Sequence, residues 1–479
     1  MGERPDRALK EVLGVSSRVP VFDEDLLKGL VWASRRYVAP LSVVLSMASP
    51  PNLPRRAPRP AAPPPLVGSD HPLAKLAEAA AAGRRRPTQA LVGRWQDLGW
   101  VGALTPVIGA GRSALIVAAT AAEASGLADA AGATYGEAVV AVCGDNGAEL
   151  TAAWEKAQSG GRLVVGTPRA ATWRVRRLAL ALCLEEGRRA MKIRSPAIHV
   201  RDLLRTRSKL ERFTSVFYGP TPSLEILSAG AEAVRVGARA WPLVEIVDRS
   251  GEAPGSGLLA PSVEAALRSM TARGERSFVL TGVKMIDRMS AEVGARLGAA
   301  AVGSDRPVIV GAERDMVDAG PMALTVASNA DGMLMGVSYR AREETLRVLA
   351  RLANLLGQAS GRRMMVQTAN PGSDLAETLR KGDPMPYLER ELVERARTGA
   401  PPSTEMLVVE IRGRRPPGVS AALEGMPGAE VVGPLEIDQG LRWLLQGDLR
   451  RARVALRELV GRWRGAETAV RVDADPIDL

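Results

Sequence analysis

Hydrophobic positions along this chain alternate between two rhythms. Between residues 103 and 235, short apolar runs (SALIVAAT, AVVAVCG, RLVVGTP, ALALCLEE, FTSVFYG) are separated by stretches with helical spacing, among them AELTAAWEKAQ and HVRDLLRTRSKLERF. Such βαβ alternation predicts a mostly parallel sheet covered by helices. Residues 236–372 repeat the pattern in WPLVEIVD, VEAALRSMTARG, RSFVLTG, RPVIVGAE, MALTVAS, the long helix YRAREETLRVLARLANLLGQ and RMMVQT, which predicts a second α/β domain. Residues 373–479 change character. The helix MPYLERELVERARTG is broken at Pro401-Pro402, and the strand EMLVVEIRG follows. A helix, a short strand, the helix DLRRARVALRELVGRWRG and a last strand, AVRVDAD, complete a compact α+β domain.

The first hundred residues are less regular. In DEDLLKGLVWASRRYV, residues Leu26, Leu27, Leu30 and Val31 share one face of a helix that Asp23 is placed to cap, and LSVVLSMA follows Pro40. Residues 1–49 therefore read as a small domain or part of one. Proline and arginine dominate residues 50–72, which predicts an extended, polyproline-like linker. Residues 73–102 read as two short helices, LAKLAEAAAAG and PTQALVGRWQDLG, around Arg84, Arg85 and Arg86, with a strand-like tail at Trp100. They form either a winged-helix remnant or two helices packed on the next domain.

Composition narrows the classes. With 479 residues, 46% hydrophobic and 24% charged, the chain fits about three globular domains. It has no apolar run of about 18 residues to cross a membrane. Its N-terminus, MGERPDRALKEVLG, lacks the apolar core of a signal peptide, so the expected location is the cytoplasm. Cys143 and Cys183 each sit in an apolar run and read as reduced thiols acting as small hydrophobes. With only two histidines besides, they cannot build a cysteine-rich zinc site. The formal charge of +11 suits a polyanionic partner. Only eight of the 64 basic residues are lysine, so the arginine excess reads equally as a compositional bias. Aromatic residues at 4% argue against extended base-stacking platforms.

Several short segments, in order, resemble the primosomal protein N′ (PriA) family of replication-restart helicases. At the C-terminal end these are VQTANPG (366–372), YLERELVERARTGAPP (387–402), the turn Gly433-Pro434 and RVDADP (471–476). In the middle they are RLVVGTPRA (162–170), IHVRD (198–202) and YGPTPSLE (218–225), and near the start LVWASRRYVAPLSVVLSMASP (30–50). The last resembles the second half of the family's 3′-end DNA-binding domain, so recognition of a 3′ hydroxyl is not carried over. The resemblance implies two tandem RecA-like helicase domains (103–235 and 236–372) between a truncated N-terminal DNA-binding domain and a C-terminal α+β domain.

The family's motor is not carried over either. A phosphate loop needs Gly-x-x-x-x-Gly-Lys-Ser/Thr entering a helix. The candidate here, Gly109-Ala110-Gly111-Arg112-Ser113, has arginine for lysine and runs into the strand signal ALIVAAT. It reads as a loop leading into a strand, with the phosphate loop and its helix deleted. The family's Asp-Glu-Glu-His element aligns with Leu184, Glu185, Glu186 and Gly187; leucine cannot ligate Mg²⁺, and the two glutamates read as an exposed acidic pair. The arginine-finger helix aligns with ARLANLLGQAS (350–360), where Arg351 and Arg362 lie nearby but out of register. KMIDRMSAEVGARLGAAAVGSDRP, where the zinc insert belongs, has no cysteine. No ATP, Mg²⁺ or zinc cofactor is therefore expected, and no catalytic residue is assigned.

DNA contact and scaffolding remain. The candidate phosphate contacts are Arg35, Arg36 and Tyr37; Arg84, Arg85 and Arg86; Thr167 with Arg174, Arg176 and Arg177; and the helical set Arg201, Arg205, Arg207, Lys209 and Arg212. Each set also reads as a solvated helix face. The expectation is a DNA-binding restart factor on forked or single-stranded DNA, with other primosome proteins as partners. A divergent active helicase and a scaffold without DNA affinity are the alternatives.

Overall fold

The computed structural model describes residues 14, 17, 19–54, 59 and 62–477, apart from the single positions 254, 318, 337, 358, 360 and 466. The N-terminal segment read as lacking a signal sequence, and linker residues 55–58, 60 and 61, lie outside the described residues. The α/β class expected from the alternation is the one observed, in two successive parallel sheets followed by an antiparallel one.

The first domain contains α1 (Glu24–Arg36), α2 (Leu41–Ala48), α3 (Leu73–Ala81), β1 (Gln89–Val92), α4 (Thr105–Gly109), β2 (Ser113–Val117), α5 (Ala121–Tyr135), β3 (Val139–Val142), α6 (Gly147–Ala157) and β4 (Leu163–Gly166). It continues through β5 (Leu178–Leu184), β6 (Lys192–Arg194), β7 (Ala197–His199), α7 (Val200–Leu210), β8 (Thr214–Gly219), α8 (Leu224–Ser228) and β9 (Glu232–Arg235). Seven strands form one parallel sheet in the order β3-β4-β2-β5-β8-β1-β9. All seven residues of β5, LALALCL, are buried, because a central parallel strand is covered on both faces. Local chemistry fixes the helix starts. The Asp23 side chain accepts from the Leu26 amide at 3.0 Å, and Thr120 with Glu123 forms a capping box on α5.

Two sequence expectations change here. Residues 73–102 are not a winged-helix remnant. PTQALVG was read as helical, but Gln89–Val92 is a strand paired in parallel with β8 on one side and β9 on the other. Pro87 and Gly93 bracket an apolar run too short for a helix, and two open strand edges supply its backbone partners. Nor do the described residues of segment 1–49 stand apart. Leu26, Leu30, Ala33 and Val44 share one continuous core with Leu115 and Phe217 of the first sheet and Trp154 of α6.

The second domain contains β10 (Val244–Asp248), α9 (Pro261–Ala272), β11 (Ser277–Leu280), α10 (Ile286–Leu297), β12 (Val308–Gly311), β13 (Leu324–Ala327), α11 (Ala330–Leu334), α12 (Ala341–Asn354), β14 (Arg363–Thr368), α13 (Asp374–Lys381) and α14 (Met385–Thr398). Its parallel sheet has the order β10-β14-β13-β11-β12. Residues from 373 on, with the helix MPYLERELVERARTG (α14), were expected to open the C-terminal domain. Instead Leu375, Leu379, Tyr387 and Leu388 pack in the core of this second sheet.

The last domain contains β15 (Glu405–Gly413), α15 (Val419–Glu424), β16 (Ala429–Ile437), β17 (Gly440–Gly447), α16 (Arg450–Trp463) and β18 (Thr468–Ala474). Its antiparallel order is β16-β17-β15-β18. The one short strand expected before α16 is a hairpin, β16 with β17. Among the described residues no helix is long and apolar enough to cross a membrane.

Candidate functional site

In open parallel sheets, ligands bind in the crevice beyond the carboxyl ends of the strands. In the first domain that edge carries the loop after β1, residues 93–97, and the turn after β5, residues 185–188. Helix α12 of the second domain faces both across a cleft of about 550 Å³ lined by Arg94, Trp95, Glu185, Arg351 and Arg362, among others.

The expected phosphate-loop candidate is elsewhere. Arg112 and Ser113 lie at the amino end of the sheet, where Ser113 opens β2 and its hydroxyl donates to the Arg176 carbonyl at 2.8 Å. A strand, loop and helical turn in the right order do occur one unit earlier, as β1, residues 93–97 and the 3₁₀ turn Leu98–Leu104. The Gly93 amide donates to the Gly219 carbonyl at 3.0 Å, and a Cβ there would lie 2.8 Å from Val236. The Arg94 carbonyl accepts from the Tyr218 hydroxyl at 2.9 Å, and the Trp95 carbonyl from Trp100 Nε1 at 2.6 Å. Residues 93–97 read Gly-Arg-Trp-Gln-Asp, with neither lysine nor hydroxyl. Trp95 is buried, and its indole N–H is already committed to Glu185. The loop does not fit a nucleotide triphosphate with Mg²⁺.

Glu185 and Glu186 are both buried, at 4% and 2% exposure, which corrects their reading as an exposed pair. Glu185 Oε1 accepts from Trp95 Nε1 at 2.6 Å. Its Oε2 lies 3.0 Å from Arg351 Nε and 3.7 Å from Arg188 Nε. Burial pushes this carboxyl up, but Arg351 and Arg188 outweigh it, and the net direction is downward. Glu185 also holds a left-handed backbone, φ 48°, a conformation that a non-glycine residue keeps only where its surroundings over-determine it. Glu186 is different. Burial pushes its carboxyl up, and it accepts from the Ser223 amide at 2.7 Å. Leu184 is a core residue of β5, 1% exposed.

Arg351, out of register for a finger in the sequence, is the residue that spans the cleft. Its Nη1 also donates to Glu313 Oε1 at 3.0 Å, beside Arg347 Nη1 at 2.7 Å. These cations hold Glu313 down, to about 2, although burial opposes them. Arg94 Nη2 donates to the Leu356 carbonyl at 3.0 Å, a second crossing. Arg362 donates within its own domain, to the Met322 carbonyl at 3.2 Å.

A further junction lies along the start of α12. Glu225 of the first domain is paired with Arg340, and with Arg201 at 3.0 Å. Glu343 accepts from the Leu224 amide at 3.1 Å and from Arg395 at 3.0 Å. Residues 473–477 join the remaining parts. Asp475 accepts from Arg36 Nη2 at 2.5 Å, and its carbonyl meets His199 Nε2 at 2.8 Å. Lys192 pairs with Asp473, and the Tyr339 hydroxyl donates to the Pro476 carbonyl at 3.0 Å.

The predicted DNA contacts divide accordingly. Arg36 is committed to Glu405 and Asp475, and Tyr37 is buried with its hydroxyl on Asp202 at 3.0 Å. Arg174 pairs with Asp23 at 3.0 Å. Arg201 and Arg207 are buried ion-pair partners of Glu225 and Glu211. These five are structural, because each satisfies an internal anion. Thr167 is half-buried after β4. Arg35, Arg84, Arg85, Arg86, Arg176 and Arg177 are exposed. Cys183 is buried and Cys143 half-buried, and burial pushes both thiols up. Among the described residues no group of three or more His, Cys, Asp or Glu side chains is arranged to hold a metal ion.

Comparison with known proteins adds fold likeness alone. No family model matches the chain, and no curated protein does. Among solved structures, RecG bound to a three-way DNA junction aligns at 13% identity and a TM-score of 0.45 over 68% of this chain and 47% of that one. This chain thus spans less than half the length of RecG. A DEAD box protein from the hyperthermophile Methanococcus jannaschii aligns at 12% identity and a TM-score of 0.33, over 67% of this chain and 90% of its own. S. cerevisiae Dbp5 bound to RNA and ADP BeF3 aligns at 8% identity and 0.36, over 66% and 87%. The tandem parallel domains themselves are established by this chain's own strand orders and registers.

Proposed function

We propose that this protein is a nucleic-acid-binding factor of helicase-like architecture that does not hydrolyse nucleotide, acting on forked or single-stranded DNA in replication restart beside other primosome proteins. One observation carries the loss of the motor. Trp95 and the Glu185–Arg351 pair occupy the interdomain cleft and tie its two walls together. A motor of this architecture must bind triphosphate there and alternate between open and closed cleft. Here the cradle lacks its donors, and the buried ion pair resists opening. The restart role rests on the resemblance of segments such as RVDADP and YGPTPSLE to the primosomal protein N′ family, and on the net charge of +11.

The deciding assay is ATP hydrolysis by the full chain with and without forked DNA, alongside fluorescence anisotropy of the same fork at two salt concentrations. No DNA-stimulated turnover, with salt-sensitive binding, is expected. Turnover abolished by Glu185→Gln would establish an active helicase instead. Absence of binding at low salt would favour a scaffold without DNA affinity.

A further inference from the structure

The exposed arginines that internal ion pairs leave over are not scattered. In a parallel sheet every strand starts at the same edge, and that edge of the first domain is basic. Exposed Arg176 and Arg177 precede β5, exposed Arg84, Arg85 and Arg86 lead into β1, and half-buried Arg112 precedes β2. Arg212, also exposed, stands just before β8, between β5 and β1 in the sheet. The strands β2, β5, β8 and β1 are consecutive neighbours, so at about 4.8 Å per strand the edge spans about 14 Å.

Contacts confirm that these groups converge. A Cβ on Gly83, in the turn before Arg84, would lie 2.8 Å from Arg112 Nη2. A Cβ on Gly111 would lie 3.4 Å from Arg177 Nη1. The Arg86 amide donates to Thr214 Oγ1, and Ser113 binds the carbonyls of both Arg176 and Arg177. The backbones are fixed, and every one of these arginines except half-buried Arg112 is exposed. Arg162, before β4, differs: its guanidinium donates to Ser159 Oγ and to the carbonyls of Glu137 and Arg59, so it is part of the scaffold. The carboxylates along this edge include Glu137, just before β3, Glu232, which accepts from Gln89 at 3.1 Å, and Glu211, beside Arg212 and neutralised by buried Arg207. Among the described residues, none of the rim arginines has an ion-pair partner.

We propose that this amino-end rim is a phosphate-binding surface for nucleic acid, on the opposite edge of the sheet from the sealed cleft; the proposal rests on the nucleic-acid-binding function above. Each strand of duplex DNA presents one charge per about 3.4 Å of axis, so about 14 Å of rim matches about four phosphates of one strand. The binding is indifferent to base sequence, because the rim offers guanidinium groups and no aromatic side chain for stacking. It needs no cleft movement, which suits a protein whose cleft is tied shut.

The test is anisotropy of fluorescein-labelled forked DNA, and of a duplex RNA of the same arm sequence, from 50 to 300 mM salt. The proteins are the full chain, Arg84→Gln/Arg85→Gln/Arg86→Gln, Arg112→Gln/Arg176→Gln, and the control Arg414→Gln/Arg450→Gln on the C-terminal domain. The triple variant should lower the slope of log K against log salt by about 2–3 and weaken binding tenfold or more at 100 mM salt. The double variant should lower the slope by about 2, and the control should bind as the full chain does. Thermal midpoints of the two rim variants should not change, since neither loses an ion pair; the control loses only the exposed pairs of Arg414 with Glu467 and Arg450 with Asp448. Binding of RNA as tightly as DNA would support a backbone-reading rim; strong preference for DNA at unchanged slope would overturn it. Rim variants that bind as well as the full chain would overturn the rim and leave the function standing. A full chain that binds no nucleic acid at 50 mM salt would overturn the function itself.

Discussion

Replacing Arg351 by methionine removes one cation from the cleft while keeping most of the side-chain stem. Glu185, 4% exposed, would then keep Arg188, at 3.7 Å, as its nearest cation. At 3.0 Å and an effective dielectric of about 20, the lost attraction is about 5.5 kcal/mol before desolvation. Removing one partner of a buried pair costs about 3–5 kcal/mol in practice. Arg188 and Trp95 remain to hold the carboxylate, so the lower end, about 3 kcal/mol, is expected. In a three-domain chain a single melting temperature would blur this local effect. Amide hydrogen exchange at pH 7 resolves it, because exchange reports the opening of each segment. Amides of residues 94–97 and 185–188 should exchange about 100-fold faster, at 1.36 kcal/mol per factor of ten. Those of β15 and β17, in the C-terminal sheet, should not change. Arg351→Met/Glu185→Leu, which removes both charges, should recover most of the protection. Less than threefold acceleration in the single variant would refute the view that this pair closes the cleft. Acid should act in the same direction. Glu185 and Glu313 both titrate below their ordinary value, Glu313 at about 2. Their stabilisation is complete above about pH 4.5 and drains away as pH falls toward their folded values.

ATP with Mg²⁺ at millimolar concentration should shift the thermal midpoint by less than about 1 °C, since a ligand stabilises only in proportion to its binding. Buried His199, flanked by Arg201 and Lys192, titrates well below 6.5, so the unfolded chain takes up a proton that the folded one refuses. Urea stability should therefore fall below pH 6.5 by up to about 1.4 kcal/mol per pH unit, and His199→Gln should flatten that slope by one proton. Gly166→Ala should cost about 1–3 kcal/mol in a urea titration, because its Cβ would lie 2.7 Å from Val142 and 2.9 Å from Ala170, which have nowhere to move in a packed sheet.

Much of the architecture was written in local pattern. The strands β2 to β5, β8 and β10 to β14 announced themselves as apolar runs between helical stretches. β1 did not, because three apolar residues beside PTQ match a helix as well as a strand; only its position between β8 and β9 decides. The signal that would have found it is the order of strand, glycine and helical turn, with Pro87 and Gly93 as brackets. The cleft was partly legible. That leucine at 184 cannot ligate a metal is visible in one residue; its burial in β5 is what the structure adds. The burial of Glu185 was not legible, because Arg351 and Trp95 come to it from distant parts of the chain. For the same reason Arg36, Tyr37, Arg174 and Arg201 looked like surface charge or a surface ring: their partners are far away in sequence, whereas the partner of Arg207, Glu211, is only four residues on and it is the burial of the pair that was not legible. Arg84 to Arg86 and Arg176 were legible as basic, but not as one edge, which only the strand order reveals.

The bond from Arg36 to Asp475 spans 439 residues of chain. At about 5–20 residues per second, a ribosome delivers the acceptor about 20–90 s after the donor. Through that interval α1 can pack its leucines on the first sheet, but Arg36 lacks the Asp475 carboxylate, and His199 and Lys192 lack the Asp475 carbonyl. The first domain is thus held incomplete during synthesis and exposes part of its polar interior until residues 473–477 arrive. Its vulnerability to proteases and to nonspecific association is concentrated in that window, and depends on the pace of translation as much as on the stability of the finished fold.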